Sequence, residues 1–378
     1  MTVEKSLSCS TTVAFEATKT LLIVGPQPPP MGGATATVQS FLAALREQTS
    51  IRVSLVSTRL PHKYRKKKFL FEPRTILRAV FILTQYLKNI GSCDAVLVLS
   101  NNSLSLTLVP VLLLFARLYA KPFYLKPIGG DLDLYLESQN KLLQMYLVNV
   151  LKMSDGVLPQ TRQLQTKLSK LGCDNTYYIP GYRSSALMAR RQTDVSEVFR
   201  LIFLSQIKRE KGPLVLLEAL RLIDKESDIR VTCDFYGPIY EEGQHEFHRE
   251  LERTPGARYC GVAEVGTASS LVGAYDTLVL PTYFQSEGHP GVIIEAMQAG
   301  VPVISTLHRA IPELITHGEN GLLVPIQDSQ ALAAAIKQMA LDAPLRKRMG
   351  EASYMKGQWF RTEAVMPTML KFIFKENV

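Results

Sequence analysis

The feature that most constrains this chain is alternation. Short runs rich in Val, Ile, Leu, Phe and Tyr recur between helical stretches: 20-TLLIVGP-26, 51-IRVSLVS-57, 94-DAVLVLS-100, 122-PFYLKPI-128, 156-GVLPQ-160 and 176-TYYIP-180. Helical stretches such as 37-TVQSFLAALREQ-48 and 138-SQNKLLQMYLVNVLK-152 lie between them. Strands that take turns with helices pair in parallel, because each return needs a crossover. The apolar pattern lapses over 181-GYRSSALMARRQTDVSE-197 and then restarts with 200-RLIFLSQ-206, 230-RVTCDFYG-237, 258-RYCGV-262, 276-DTLVLP-281 and 301-VPVIST-306. Two doubly wound α/β domains are therefore expected. The first spans 20–183 and the second 200–357, with a linker over 184–199.

Composition narrows the class. At 378 residues, 46% apolar and 20% charged, the chain is long enough for two ordinary domains and too apolar for disorder. Its five cysteines are scattered and never form C-x-x-C, which favours reduced thiols over a disulfide framework or zinc ribbon. Residues 1–19 are Ser/Thr-rich with no apolar signal core and read as a loose tail. The greasiest run, Leu104 to Tyr119, is broken by Pro110 and Arg117 and is too short to span a bilayer, so a buried helix is expected. Charge is lopsided: residues 1–183 hold 22 Lys and Arg against 10 Asp and Glu, and the rest 21 against 24. The first half therefore faces something anionic, its densest piece being 63-KYRKKK-68. Aromatics are not interleaved with these cations, which disfavours nucleic acid.

The segment 276–306 carries the chemistry. A strand ends at Pro281, the loop TYFQSEGH follows, and a helix starts near Pro290 and stops at Gly300, with Pro302 beyond. Ligands of parallel sheets sit where strand ends and helix N-termini converge. Gly288 and Gly291 let a ligand approach the backbone, and the amides of residues 290–292 form an anion site. Glu295 lies about one and a half turns into the helix, roughly 7 Å of rise, and its side chain leans back toward that site. A carboxylate repels phosphate but accepts two hydrogen bonds from a vicinal diol. A nucleotide diphosphate sugar offers both groups: phosphates for the amides, ribose hydroxyls for Glu295. Glu287, on the loop, then faces the sugar. Two solvated glutamates are the plain alternative.

The stretch 287-EGHPGVIIEAMQAGVPVI-304 resembles the E-x7-E signature of glycosyltransferase family 4, retaining enzymes of the GT-B fold. The segments 311-IPELITHGENGLLVP-325, 24-VGPQPPPMGG-33 and 203-FLSQIKREKG-212 resemble further parts of that family. The resemblance implies two Rossmann-like domains facing a cleft and a final helix, within 358–378, crossing back to the first domain. It also implies that Glu295 binds ribose and Glu287 contacts the transferred sugar, with His289, Pro290 and Val292 on the donor side. Lys211 matches the family's lysine beside the diphosphate, where charge builds up as the glycosidic bond breaks. Ser205-Gln206-Ile207 stands where the family places an arginine, so Lys208 or Arg209 supplies a second cation. Ile128 precedes Gly129 and Gly130 where the family has a histidine.

The function that follows is retaining transfer of a sugar from a UDP- or GDP-linked donor to a hydroxyl of a glycan or lipid-linked acceptor. The acceptor is expected along Gly32, Gly33 and Asp131. The alternative is a nucleotide-sugar-binding protein with weak or no catalysis. A nicotinamide dehydrogenase is disfavoured because neither first strand leads into G-x-G-x-x-G. The pair Asp131 and Asp133 invites a divalent metal. Helix amides and Lys211 already serve the phosphates, so neither metal nor cofactor is expected. The protein is expected in the cytoplasm, held peripherally on an anionic inner leaflet by the basic segment.

Overall fold

In a computed structural model of the chain, the described residues are 19–27, 33–47, 51–58, 73–101, 107–184, 198–241, 243–264 and 266–375. The expected tail, the greater part of the linker, Gly32 and the basic run 63–68 lie outside them. Two separate parallel sheets form. The first contains β1 (Lys19–Gly25), β2 (Ile51–Ser57), β3 (Ala95–Ser100), β4 (Phe123–Pro127) and β5 (Gly156–Val157), in the order β2-β1-β3-β4-β5. The second contains β6 (Phe199–Leu204), β7 (Val231–Tyr236), β8 (Ala257–Tyr259), β9 (Thr277–Leu280), β10 (Val303–Thr306) and β11 (Gly321–Val324), ordered β11-β10-β9-β6-β7-β8. Central strands are buried on both faces, which is why β1 and β3 read as unbroken apolar runs.

Helices on both faces supply the cores. In the first domain, helices Pro73–Ile90, Val109–Leu118 and Lys141–Met153 cover one face, burying Tyr86, Leu112 and Leu147 against Val96, Val98 and Leu125. Helices Gly33–Glu47 and Thr362–Phe374 cover the other. The second of these comes from the far end of the chain: Met366 and Met369 join that core, and the Tyr124 hydroxyl donates to the Phe372 carbonyl at 2.8 Å. The second domain has a core of its own, from Leu201 and Phe203 through Ile293 and Ile294 to Ile336.

Four expectations change. The run 176–180 forms no strand; only Thr176 bridges Val157. A strand the pattern did not separate, β11, forms inside the segment 311–325. The helix within 104–119 is buried on one side only: Leu112, Leu113 and Ala116 face the core, while Leu114 and Leu118 are exposed. The helix after β9 runs Gly291–Gln298, with Pro290 outside it as the N-cap residue. Proline has no amide hydrogen, and the Ile293 amide donates to the Pro290 carbonyl at 3.1 Å. The expected anion site at 290–292 is thereby reduced to the amides of Gly291 and Val292.

Candidate active site

In the second sheet the order reverses between β6 and β9, so the loops after these strands open into one crevice. They are the two loops the sequence singled out, Ser205–Lys211 after β6 and Pro281–Pro290 after β9. Their acids are not solvated. Glu287 is 7% exposed, and its Oε2 accepts from Lys211 Nζ at 2.7 Å and from the Thr282 hydroxyl at 2.8 Å. The two proposed catalytic residues therefore form one buried ion pair. Lys208 and Lys211 both lie over the Phe284 ring, with Nζ 5.8 and 4.5 Å from its centre, so the loop after β6 concentrates its cations at this spot. Gln206 lies in the turn ahead of them, its carbonyl accepting from the Lys208 amide.

Glu295 meets a cation the sequence reading did not single out. Arg183, at the end of the first domain, places Nε 3.2 Å from Glu295 Oε1. Its guanidinium lies over Gly291, where any Cβ would overlap it. Arg183 is 8% exposed and its backbone is fixed on three sides: its amide donates to the Phe360 carbonyl, and its carbonyl accepts from Thr362 and from Gln298 Nε2. Burial pushes the Glu295 carboxyl up, with Arg183 pulling against it. Arg183 sits in the span where apolar periodicity lapses, so periodicity gave no signal for it. Its backbone is held in place by the segment leading into the final helix, at Phe360 and Thr362.

His289 is buried between the domains. Its Nδ1 accepts from the Gly181 amide at 3.2 Å, which leaves Nε2 as the donor to Glu313 Oε2 at 3.1 Å. Burial holds the imidazole below its usual range despite Glu313. Glu313 also accepts from the amides of Arg162 and Gln163 at 2.8 and 2.9 Å, capping a first-domain helix. His289 is thus a structural link between domains. Gly288 and Pro290 are buried on either side of it, while Val292 packs against the second core.

Asp131 and Asp133 close the cleft from the other side. The Ser286 hydroxyl donates to Asp131 Oδ2 at 2.6 Å, and the Gly130 amide to the Ser286 carbonyl at 3.0 Å. Arg309 Nη2 donates to Asp133 Oδ1 at 2.7 Å and also to the Gly130 carbonyl, while Lys167 Nζ lies 2.9 Å from Asp133 Oδ2. Burial raises the Asp133 carboxyl, but these two cations outweigh it and hold it low. Both acids are engaged in clamp contacts, Asp131 by the Ser286 hydroxyl and Asp133 by the Arg309 and Lys167 side chains. Gly33 is the first residue of its helix, and residues 28–32, between it and β1, lie outside the described residues.

Residues 198–342 match the family described as Glycosyl transferases group 1. The second domain belongs to the group 1 glycosyltransferases. The chain is 28% identical over 212 residues to D-inositol 3-phosphate glycosyltransferase of Corynebacterium aurimucosum, covering 54% of this chain and 50% of that protein. It is 45% identical over 145 residues to WcaL of Salmonella typhimurium, named for colanic acid biosynthesis, covering 37% and 36%. The chain spans about half the length, or less, of these curated relatives. Among solved structures, Anabaena HepE in complex with UDP aligns with a TM-score of 0.71 at 17% identity, over 94% of this chain and 100% of that one. Sucrose-phosphate synthase from Thermosynechococcus elongatus aligns with a TM-score of 0.73 at 18% identity, over 93% and 98%. These alignments span both sheets, and the glycosyltransferase domain here is one half of a GT-B fold.

Proposed function

We propose that the protein transfers a sugar, with retention of anomeric configuration, from a nucleotide diphosphate sugar to an acceptor hydroxyl. The observation that carries this reading is the arrangement at the switch point. Two glutamates eight positions apart, Glu287 buried and Glu295 half-buried, flank the first turn of helix Gly291–Gln298, and each meets a cation from another segment. The diphosphate lies on the amides of Gly291 and Val292, and the ribose hydroxyls on Glu295. Lys211 stabilises the leaving diphosphate, and Glu287 holds both that lysine and the sugar end. Arg183 becomes the second cation, a role the sequence left between Lys208 and Arg209; its guanidinium already stands over the phosphate end of the helix. Bound donor hydroxyls then share Glu295 with it.

The acceptor enters from the first domain, past Gly33 and Asp131, and closure excludes the water that would otherwise hydrolyse the donor. We assign Asp131 and Asp133 to that closure, which leaves transfer free of a metal or cofactor. HepE is crystallised with UDP and WcaL is named for colanic acid biosynthesis, which supports a uridine donor and a glycan or lipid-linked acceptor. The run 63-KYRKKK-68 would hold the first domain on an anionic inner leaflet.

A thermal-shift panel of UDP- and GDP-sugars tests the reading, since a ligand at about 100 times its Kd stabilises the fold by about 2.7 kcal/mol. One donor should raise the midpoint and be turned over on labelled transfer or hydrolysis. A donor that binds without either reaction would make the protein a sugar-nucleotide binder, and a flat panel would overturn the donor site.

A further inference from the structure

The three helices on one face of the first sheet, Pro73–Ile90, Val109–Leu118 and Lys141–Met153, bury one side each and leave a second apolar stripe outward. Leu77 and Phe81 are four residues apart on the first, Leu114 and Leu118 on the second, and Leu142 and Met145 are three apart on the third; each pair shares a helix face. All six are exposed, Leu77 by 68%, Leu118 by 69% and Leu142 by 80%. The stripes adjoin. The Tyr86 hydroxyl donates to the Leu112 carbonyl at 2.9 Å, pinning the first helix to the second, and Arg117 donates to the Met153 carbonyl, pinning the second to the third. Exposed apolar pairs on three neighbouring helices mark a protein or membrane partner.

Charge decides between them. None of the three helices contains an Asp or Glu. Their ionised groups are all cations, among them Arg78, Lys88, Lys141 and Lys152, the three lysines exposed. Protein interfaces are depleted in lysine, whereas an apolar stripe flanked by lysine and arginine is the pattern of elements lying in the headgroup region of anionic lipid. Among the described residues, no helix is long and apolar enough to cross a membrane.

We propose that this three-helix surface inserts into the headgroup–acyl boundary of an anionic bilayer. It goes beyond charge-driven adsorption through 63–68, and it rests on the membrane-side acceptor reading above for its purpose, although its chemistry belongs to the surface itself. Insertion places the first domain against the leaflet, so that a lipid-linked acceptor is met at the bilayer surface.

The test is flotation of the full chain with vesicles of phosphatidylcholine and phosphatidylglycerol, at low salt and at about 1 M salt, where the screening length is about 3 Å. Wild type should keep a salt-resistant bound fraction. The quadruple variant Leu77→Ser, Phe81→Ser, Leu114→Ser, Leu118→Ser changes only exposed side chains. It should lose that fraction and partition about tenfold or more weaker at low salt, with its melting curve and its UDP-induced shift unchanged. Leu118→Trp in a Trp359→Phe background, which removes the one native tryptophan, should be quenched by brominated lipid. Complete release of wild type by salt, or an unquenched tryptophan, would overturn insertion while leaving electrostatic adsorption standing. Failure to bind any vesicle would overturn both but not the donor site. A reversible dimer that the same four substitutions abolish would make the surface a protein interface and overturn the proposal.

Discussion

Each signature glutamate looks unpaired in the linear sequence, and each is drawn against a cation in the fold, Glu287 buried and Glu295 half-buried. A buried carboxylate without its partner is costly, so the pairs are better read as two half-sites that share charge with a substrate than as sources of stability. Glu295→Gln keeps the shape and removes the charge. Charge-assisted hydrogen bonds contribute ~1.5–3 kcal/mol, so calorimetry should show nucleotide affinity falling about tenfold or more with the melting temperature little changed. Wild-type affinity would mean that Arg183, not ribose, is the permanent partner of Glu295. Lys211→Ala should lower turnover more than donor affinity, because the leaving group carries more charge in the transition state than in the ground state. Equal losses would reduce Lys211 to a phosphate anchor. The buried Lys126 belongs to the same scale. It is 3% exposed, donates to the Ile179 carbonyl at 3.1 Å, and burial lowers it from 10.5 to about 7. The folded state then binds fewer protons than the unfolded chain between about pH 7 and 10.5, so this group makes stability rise across that window. Lys126→Met should remove that increment, visible as a smaller gain in melting temperature from pH 7 to 9 than in wild type.

At the scale of elements, what positions the site is the approach of two loops. Gly130 lies so close to the Glu287 carbonyl and the Gly288 amide that a Cβ would overlap them, and its own amide donates to Ser286. Only glycine permits backbone on backbone at this distance. Gly130→Ala should hold the cleft open by the bulk of one methyl group. The radius of gyration from small-angle scattering should rise and turnover fall, while nucleotide binding to the second domain persists. An unchanged scattering profile would show that the loop yields and the approach is not limiting. The helix Val109–Leu118 carries the converse lesson. Its near-continuous apolar sequence reads as buried all round, yet Leu114 and Leu118 are exposed, because a layer of helices on a sheet has an outer side.

Over the whole molecule, the domains are joined by clamps that the chain crosses twice. Arg183 and Arg361 form a parallel bridge where the two crossings meet. Arg309 reaches Asp133 across the cleft with its own backbone at φ 49°, the left-handed region that non-glycine residues rarely adopt. Such a conformation persists where surrounding contacts over-determine it, here two buried ion-pair bonds and the Gly130 carbonyl. Removing one partner of a buried pair costs ~3–5 kcal/mol, an upper figure here because Lys167 also holds Asp133. Arg309→Ala should therefore lower the unfolding midpoint and open the cleft, whereas Arg309→Lys should restore part of both. A wild-type midpoint would show that Lys167 alone satisfies Asp133.

Local chemistry made much of this legible in the sequence. Strand–helix alternation determined two parallel sheets, because crossovers admit little else. Gly288, Gly291, Pro290 and the strand before them determined a strand–turn–helix junction, and the eight-residue spacing put Glu287 and Glu295 at its two sides. What tertiary structure decided is whatever depends on long-range approach. Glu295 is joined to Arg183 across 112 positions, Glu287 to Lys211 across 76, and Asp133 to Arg309 across 176. Periodicity describes which face of an element is apolar, and turn residues describe where the chain bends. Neither carries information on which charge from a distant segment will be desolvated beside which other; for Glu287 and Lys211 that is set when the second sheet assembles, and for the other two pairs when the domains meet.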